Sequence, residues 1–469
     1  MLNSKLVQLY KTLTKQEIRL LKQWIYSPVH NQHKDVQKLF EFLFSRRSIR
    51  ELTVQKKKAF EYLYSNKSYD DLRIRHVMSF ALKTLEDFVS YYAAFDSKLN
   101  YKKNLTKAYR NHNLPLQASL YLEKTAKELN KSTIQNELFY LDKYTVEVNK
   151  FELEGTQDRT RAINVQDIDK QATIFYIITT LKYASTSLSH SALVKTDYEF
   201  SMLQAVLDEV TTGKYDDVPV VMLYYYSYMA LTTPEKEEYF QKLNHYINHN
   251  LFVLPHNEQR SIYSVAINYC IKRLNTGTDK YIRLAFDLYK NGLANGILIE
   301  NQTLSHFAYK NTVALGLHLK EFDWVTNFIN NYSSYLQESH RQNYEHYNTA
   351  KLHFAKKEYN LAIELIAQVE YDDLLLTMDA KMMLLIIYYE QGSFQALDAL
   401  LDSFRVFIHR KKVMGYHKAN YLNLISMTKK LMQLPIYSKE EKLQLQKQIE
   451  ETKPLAGQKW LLEQLDKKR

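Results

Sequence analysis

Two histidines four residues apart are the first candidates for chemistry in this sequence. His245 and His249, in "LNHYINHN", would share one face of a helix, and His256 follows nearby. Imidazole nitrogens are common zinc ligands, so this spacing can hold a metal ion. The intervening Tyr-Ile-Asn lacks the glutamate that an HExxH metalloprotease uses as its base. Because the chain contains 15 histidines, chance spacing is the simpler explanation, and we predict no metal site.

Acidic and thiol side chains give no catalytic arrangement either. Asp216-Asp217 and Asp372-Asp373 are adjacent in the sequence, so on a helix their side chains would diverge by about 100°. Cys270 is the single cysteine and has apolar neighbours, which favours a core position over a nucleophile. The sequence also lacks a glycine-rich phosphate loop and a G-x-S-x-G nucleophile motif. We therefore predict a protein without a catalytic centre or a cofactor.

A dense cluster of basic residues lies in "SRRSIRELTVQKKK", residues 45–58. Its six cations face one acid, Glu51, and are Arg46, Arg47, Arg50, Lys56, Lys57 and Lys58. Residues 1–115 hold 22 Lys and Arg against 10 Asp and Glu, whereas the remaining residues hold 41 against 42. The net charge of +11 is therefore concentrated in the N-terminal quarter. Such a cluster is either a solvated surface or a patch that binds a polyanion or an acidic protein.

The composition favours long helices. Only nine glycines and seven prolines occur in 469 residues, so the chain has few tight turns. The N-terminus lacks the apolar segment of a signal peptide, and no run of about 18 apolar residues appears. We expect a soluble, cytoplasmic protein without a membrane-spanning segment.

Local signals mark several helix boundaries. Thr14 and Glu17 have the spacing of a capping box, and Ser27-Pro28 should end the helix that follows. The segment 68–71, Ser-Tyr-Asp-Asp, should begin a longer helix. Residues 154–167, "EGTQDRTRAINVQD", form a polar break and are the best internal boundary.

The C-terminal half contains a repeat. Equivalent core positions are predicted, in chain order, at Ala285, Val325, Ala362 and Leu397, so successive separations are 40, 37 and 35 residues. Similar turns, Lys-Glu-Phe at 320–322, Lys-Glu-Tyr at 357–359 and Gly-Ser-Phe at 392–394, precede each second helix of the later units. This pattern resembles the tetratricopeptide repeat, a helical hairpin of about 34 residues. The C-terminal half also resembles an uncharacterised bacterial family of helical-repeat proteins.

The resemblance implies an all-α fold, a right-handed α-solenoid of tetratricopeptide-like hairpins that follows a basic helical module. The predicted domains are residues 1–115, the basic all-helical module; 116–255, helical hairpins with a break near 154–167; 256–435, the tetratricopeptide-like repeats; and 436–469, an amphipathic helical tail. In the repeat register, the first helices line a groove with Tyr344, Tyr347 and Lys351 in one unit and Asp379, Met382 and Ile386 in the next.

Two functions remain open at this point. The first is a non-enzymatic scaffold or adaptor that holds a peptide or protein partner on the repeat surface. Tyrosine supplies rigid contact area there, and lysine can bind a carboxylate. The alternative is a nucleic-acid-associated regulator that uses the basic module, residues 1–115. The oligomeric state does not follow from the sequence.

Overall fold

The computed structural model describes residues 1–46, 49–50, 52–65, 67–95, 97–154, 163–194, 196–274, 280–368, 374–410, 415–435 and 439–468. The regular structure within these ranges is almost entirely α-helical, which confirms the predicted all-α class. The chain forms two compact units, residues 1–177 and 178–469. Most of the predicted polar break, residues 155–162, lies outside the described residues. The proposed boundaries after residues 115, 255 and 435 stay predictions.

The first unit consists of short helices that precede longer ones. Its helices are α1 (Lys5–Thr12), α2 (Lys15–Tyr26), α3 (Lys34–Phe44), α4 (Lys56–Leu63), α5 (Asp71–Phe95), α6 (Lys98–Asn111), α7 (Pro115–Leu129) and α8 (Glu137–Glu154). The next helix, α9 (Val165–Val194), contributes residues to both units. Buried apolar side chains of α1 to α5, such as Leu21, Phe40 and Leu85, form one core.

The predicted helix boundaries in the first unit are confirmed. The Thr14 hydroxyl accepts a 3.2 Å hydrogen bond from the amide of Glu17, whose carboxylate accepts one of 2.7 Å from the amide of Thr14. α2 ends at Tyr26, directly before Ser27 and the proline that prevents its continuation. α5 begins at Asp71, as the polar segment before it predicts.

The second unit continues with helices that pack against their neighbours in sequence. They are α10 (Leu203–Val210), α11 (Pro219–Thr232), α12 (Glu237–Asn250), α13 (His256–Leu274), α14 (Lys280–Ala294), α15 (His306–His318), α16 (Phe322–Tyr332), α17 (Glu338–Ala355), α18 (Tyr359–Ala367), α19 (Leu374–Glu390), α20 (Phe394–Arg410), α21 (Gly415–Gln433), α22 (Lys439–Glu451) and α23 (Gln458–Lys467). Two-residue strands, β1 (Ile299–Glu300) and β2 (Thr303–Leu304), pair antiparallel between α14 and α15.

Three consecutive helix pairs share one turn geometry. The pairs α15–α16, α17–α18 and α19–α20 are joined through Lys320, Lys357 and Gly392, whose φ angles are 60°, 63° and 67°. In each turn the next residue's amide donates a 2.9 Å bond to a carbonyl five residues back. This is the hydrogen bond of a Schellman cap, which satisfies a carbonyl at the end of the first helix.

The four core positions predicted for the second unit are buried. Ala285, Val325, Ala362 and Leu397 are all 0% exposed. The C-terminal segment is also part of the core, because Leu445 and Ile449 of α22 and Leu461 and Leu465 of α23 are buried in one apolar cluster with α21. The amphipathic tail predicted for residues 436–469 therefore packs its apolar face against the preceding helices.

Candidate functional site

Five polar side chains from four helices of the second unit meet at one place. Lys310 comes from α15, Tyr347 and Lys351 from α17, Asp379 from α19 and Tyr421 from α21. We refer to these residues as the Asp379 cluster. α17 packs against both α15 and α19, and the Tyr421 hydroxyl of α21 reaches α19, so residues more than 100 positions apart in the chain lie around one carboxylate.

Asp379 is the centre of this cluster. The Tyr347 hydroxyl donates a 2.9 Å hydrogen bond to Oδ2 of Asp379, and the Tyr421 hydroxyl donates one of 2.7 Å to Oδ1. The ammonium nitrogen of Lys310 lies 3.5 Å from Oδ2. Both tyrosines are buried, whereas a third of the Asp379 side chain is exposed. The carboxylate is thus held at the edge of the core by hydrogen bonds from two other helices.

The two lysines stand over the ring of Tyr347. The Nζ atoms of Lys351 and Lys310 lie 5.5 Å and 5.8 Å from the ring centroid. Cations at this distance from an aromatic face are attracted by the ring's quadrupole. The cluster therefore contains two basic side chains and only one carboxylate.

Burial and charge act in opposite directions on these groups. Burial would raise the pKa of Asp379, but the positive charges of Lys351 and Lys310 and the hydrogen bonds from both tyrosines outweigh it and lower the pKa. Burial lowers the pKa of Lys351, and the Asp379 carboxylate opposes that change. Burial and the adjacent carboxylate raise the pKa of Tyr421. Asp379 is therefore ionised at neutral pH, and a second carboxylate beside Lys351 would favour its ammonium form.

The six groove candidates divide into two groups. Tyr347, Lys351 and Asp379 belong to the Asp379 cluster, so the structure brings these three together. The other three, Tyr344, Met382 and Ile386, pack in the apolar cores of the second unit. Their apolar atoms contact neighbouring helices, so their role in the structure is packing.

Sequence reasoning missed two members of the cluster, Lys310 and Tyr421. A signal existed for Lys310, because it precedes Tyr347 by 37 residues, the same separation that relates Val325 to Ala362. No comparable spacing identifies Tyr421, since the distance from Asp379 to Tyr421 is 42 residues and spans irregular connections.

The N-terminal basic cluster is partly engaged by its own chain. The guanidinium of Arg46 lies 4.2 Å from the centroid of the Phe42 ring. Lys56 forms an ion pair of 3.2 Å with Asp71, and Lys58 donates to a backbone carbonyl. Arg50 and Lys57 are exposed, while Arg47 and Glu51 lie outside the described residues. Binding of a polyanion by this cluster stays a prediction.

The histidine pair lies on an exposed part of α12. The rings of His245 and His249 are 4.4 Å apart, and Nδ1 of His249 lies 2.8 Å from the backbone carbonyl of His245. His256 is exposed at the start of α13. Among the described residues, no group of three or more His, Cys, Asp or Glu side chains is placed to hold a metal ion.

The remaining candidates that the structure describes are a buried thiol and two exposed acids. Cys270 is 0% exposed, which confirms its predicted core position, and burial raises the pKa of its thiol to about 12. The thiolate needed for nucleophilic attack is therefore scarce at neutral pH. Asp216 and Asp217 are exposed in a turn, as expected for solvated acids, and Asp372-Asp373 lie outside the described residues.

Comparison with known proteins gives no relative from which a role can be transferred. No protein-family model matches the sequence, and no curated protein matches it. Within the described residues, no helix combines the length and the apolar character needed to cross a membrane.

Proposed function

We propose that this protein is a non-enzymatic scaffold whose tetratricopeptide-like repeats hold a peptide segment of a partner protein at the Asp379 cluster. The observation that carries the proposal is the convergence of Lys310, Lys351 and Asp379, from three successive first helices, at the edge of the core. Charged groups that are partly buried lose hydration, and such groups are concentrated at functional sites.

The repeat geometry supports the architecture in this proposal. The turns at Lys320, Lys357 and Gly392 recur at separations of 37 and 35 residues and have the same left-handed residue and capping bond. Units that repeat in this way expose the same face of each first helix to the same side. A stack of such faces is the surface on which solenoid proteins bind extended partners.

The chemistry of the cluster favours an acidic group on the partner. Asp379 already accepts hydrogen bonds from two tyrosines, and the two lysines exceed it in charge. A carboxylate of the partner would neutralise the excess positive charge of the cluster. It would also accept charge-assisted hydrogen bonds from Lys310 and Lys351. The partner segment is therefore a peptide with an aspartate, a glutamate or a free C-terminus at this point.

Selection from a random peptide library on the full chain tests the proposal. We expect the selected peptides to be enriched in Asp and Glu, or in free C-terminal carboxylates, relative to the starting library. A parallel selection uses the double variant Lys310→Met and Lys351→Met, which keeps the aliphatic stems and removes both charges. Equal enrichment on both proteins would contradict an acidic ligand at this cluster.

A further inference from the structure

A second polar site lies in the other half of the second unit, far in sequence from the Asp379 cluster. A cavity of about 290 Å³ opens between α9, α11 and α13. Its floor is formed by Lys182, Tyr224 and Glu258, and its rim by exposed hydroxyl and amide side chains that include Thr186, Ser189, Ser261, Ser264 and Asn268. The volume is close to the lower limit of small-molecule sites in proteins.

The floor of the cavity contains one cation and one anion, so its net charge is zero. Glu258 is 5% exposed; Lys182 lies 3.1 Å from its Oε1, and the Tyr224 hydroxyl donates a 2.5 Å hydrogen bond to its Oε2. The ammonium and the carboxylate compensate each other, and these are the two charged side chains among the residues that line the cavity. A ligand with a net charge would unbalance this pair, so the floor favours a neutral molecule.

Four hydroxyl groups around the cavity already donate hydrogen bonds to their own helices. Thr186, Ser227, Ser261 and Ser264 each donate to the backbone carbonyl four residues earlier, at distances between 2.7 and 3.1 Å. A hydroxyl has one proton and two lone pairs, so each of these oxygens can only accept a further hydrogen bond. The surface of the cavity therefore selects a ligand that is rich in hydrogen-bond donors.

We propose that this cavity binds a neutral polyhydroxylated small molecule, such as a monosaccharide or a sugar alcohol. A ligand hydroxyl donates one hydrogen bond to a Ser or Thr oxygen and accepts another from the Asn268 amide. A water molecule occupies about 30 Å³ of liquid, so the cavity has room for roughly ten non-hydrogen atoms. That is the size of a pentose, a hexose or a hexitol.

Calorimetric titration of the full chain with glucose, sorbitol, xylitol and myo-inositol tests this proposal. We expect saturable binding of at least one of these, with a dissociation constant of about 1 mM or lower. Asn268→Ala should weaken it by about fivefold, the effect of one neutral hydrogen bond, and the double variant Ser261→Ala/Ser264→Ala should weaken it by at least as much. Ser403→Ala is the matched control, because its hydroxyl donates to a backbone carbonyl outside the cavity.

The comparison ligands are spermidine and citrate, which are charged and of similar size. The proposal is overturned if no polyol saturates the protein up to about 50 mM, which corresponds to a binding free energy too small for a specific site. It is also overturned if a polyol binds equally to the wild type and to both cavity variants. Preferential binding of spermidine or citrate would assign the cavity to a charged ligand. Melting temperatures of all variants show whether a loss of binding reflects a loss of folding.

Discussion

The hydroxyl of Tyr347 donates a 2.9 Å hydrogen bond to the carboxylate of Asp379. This bond connects α17 with α19 through residues that are 32 positions apart. The same carboxylate accepts a bond from Tyr421, so one acid joins α17, α19 and α21. The acid therefore has a structural role as well as its proposed role in binding.

Removal of the charge at Asp379 should destabilise the protein. Asp379→Asn keeps the shape, but its single carbonyl oxygen can accept from only one of the two tyrosines, and it leaves Lys310 and Lys351 without their counter-charge. We expect a loss of about 1–2 kcal/mol, the range for a hydrogen-bonded charged group that is partly exposed. The measurement is the urea midpoint of the full chain. Asp402→Asn is the control, because that side chain is 65% exposed and pairs with Lys429 at the surface.

The effect of Asp379→Asn should depend on pH. The folded state lowers the pKa of Asp379, so the unfolded chain takes up the proton first as the pH falls. The stability contributed by the ionised carboxylate is complete above its ordinary pKa of about 3.9 and is lost as the pH falls through the lower, folded value. The difference in stability between wild type and variant should therefore be large near pH 5 and shrink below about pH 4. A difference that grows on acidification would contradict this sign.

Glycine at Lys357 should stabilise the turn between α17 and α18. A left-handed residue with a side chain costs about 1–2 kcal/mol, and the greater freedom of glycine in the unfolded state offsets part of the gain. We expect Lys357→Gly to raise the free energy of unfolding by about 0.5–1 kcal/mol. Gly392→Ala should lower it by a similar amount through backbone strain alone, because no atom lies within 4 Å of the added methyl group. Changes of equal sign in the two variants would refute the shared turn geometry.

A large side chain at Ala362 should not fit between its neighbours. Ala362 is 0% exposed in α18, at a position that the repeat spacing identifies as core. Ala362→Trp should therefore overpack the interior and cost about 1–3 kcal/mol or more. Lys356→Ala, at an exposed position in the turn before α18, should change the stability by less than about 0.5 kcal/mol. Thermal unfolding of the two variants provides the comparison, and equally small losses would show that Ala362 is not a packing position.

Local patterns in the sequence predicted local structure well. The capping box of Thr14 and Glu17 and the helix end before Pro28 depend on residues within a few positions of each other. The β1–β2 hairpin was missed because two-residue strands are too short to show alternation. Its turn holds Asn301 and Gln302 at positive φ, and glutamine is not a residue that marks such a turn.

The sequence predicted part of the site and missed the rest for a physical reason. A regular repeat register identified Tyr347, Lys351 and Asp379, but it also selected Tyr344, Met382 and Ile386, which pack in apolar cores. Tyr347 contacts Asp379, 32 residues later, rather than Met382, which the 35-residue period gives as its equivalent. A fixed period therefore does not align the positions of α17 and α19 that contact each other. The cavity between α9, α11 and α13 depends on residues from three distant segments, and their common surface is visible only after folding.

The most direct test of the scaffold proposal is the affinity of a selected acidic peptide for the full chain and its variants. We predict that Lys310→Met/Lys351→Met raises the dissociation constant at least tenfold, about 1.4 kcal/mol, because two charge-assisted contacts are lost. Lys356→Met, which removes an exposed lysine at the α17–α18 turn, should leave the dissociation constant unchanged. Equal affinity of the double variant and the wild type would show that the peptide binds elsewhere and would contradict the central role of the Asp379 cluster.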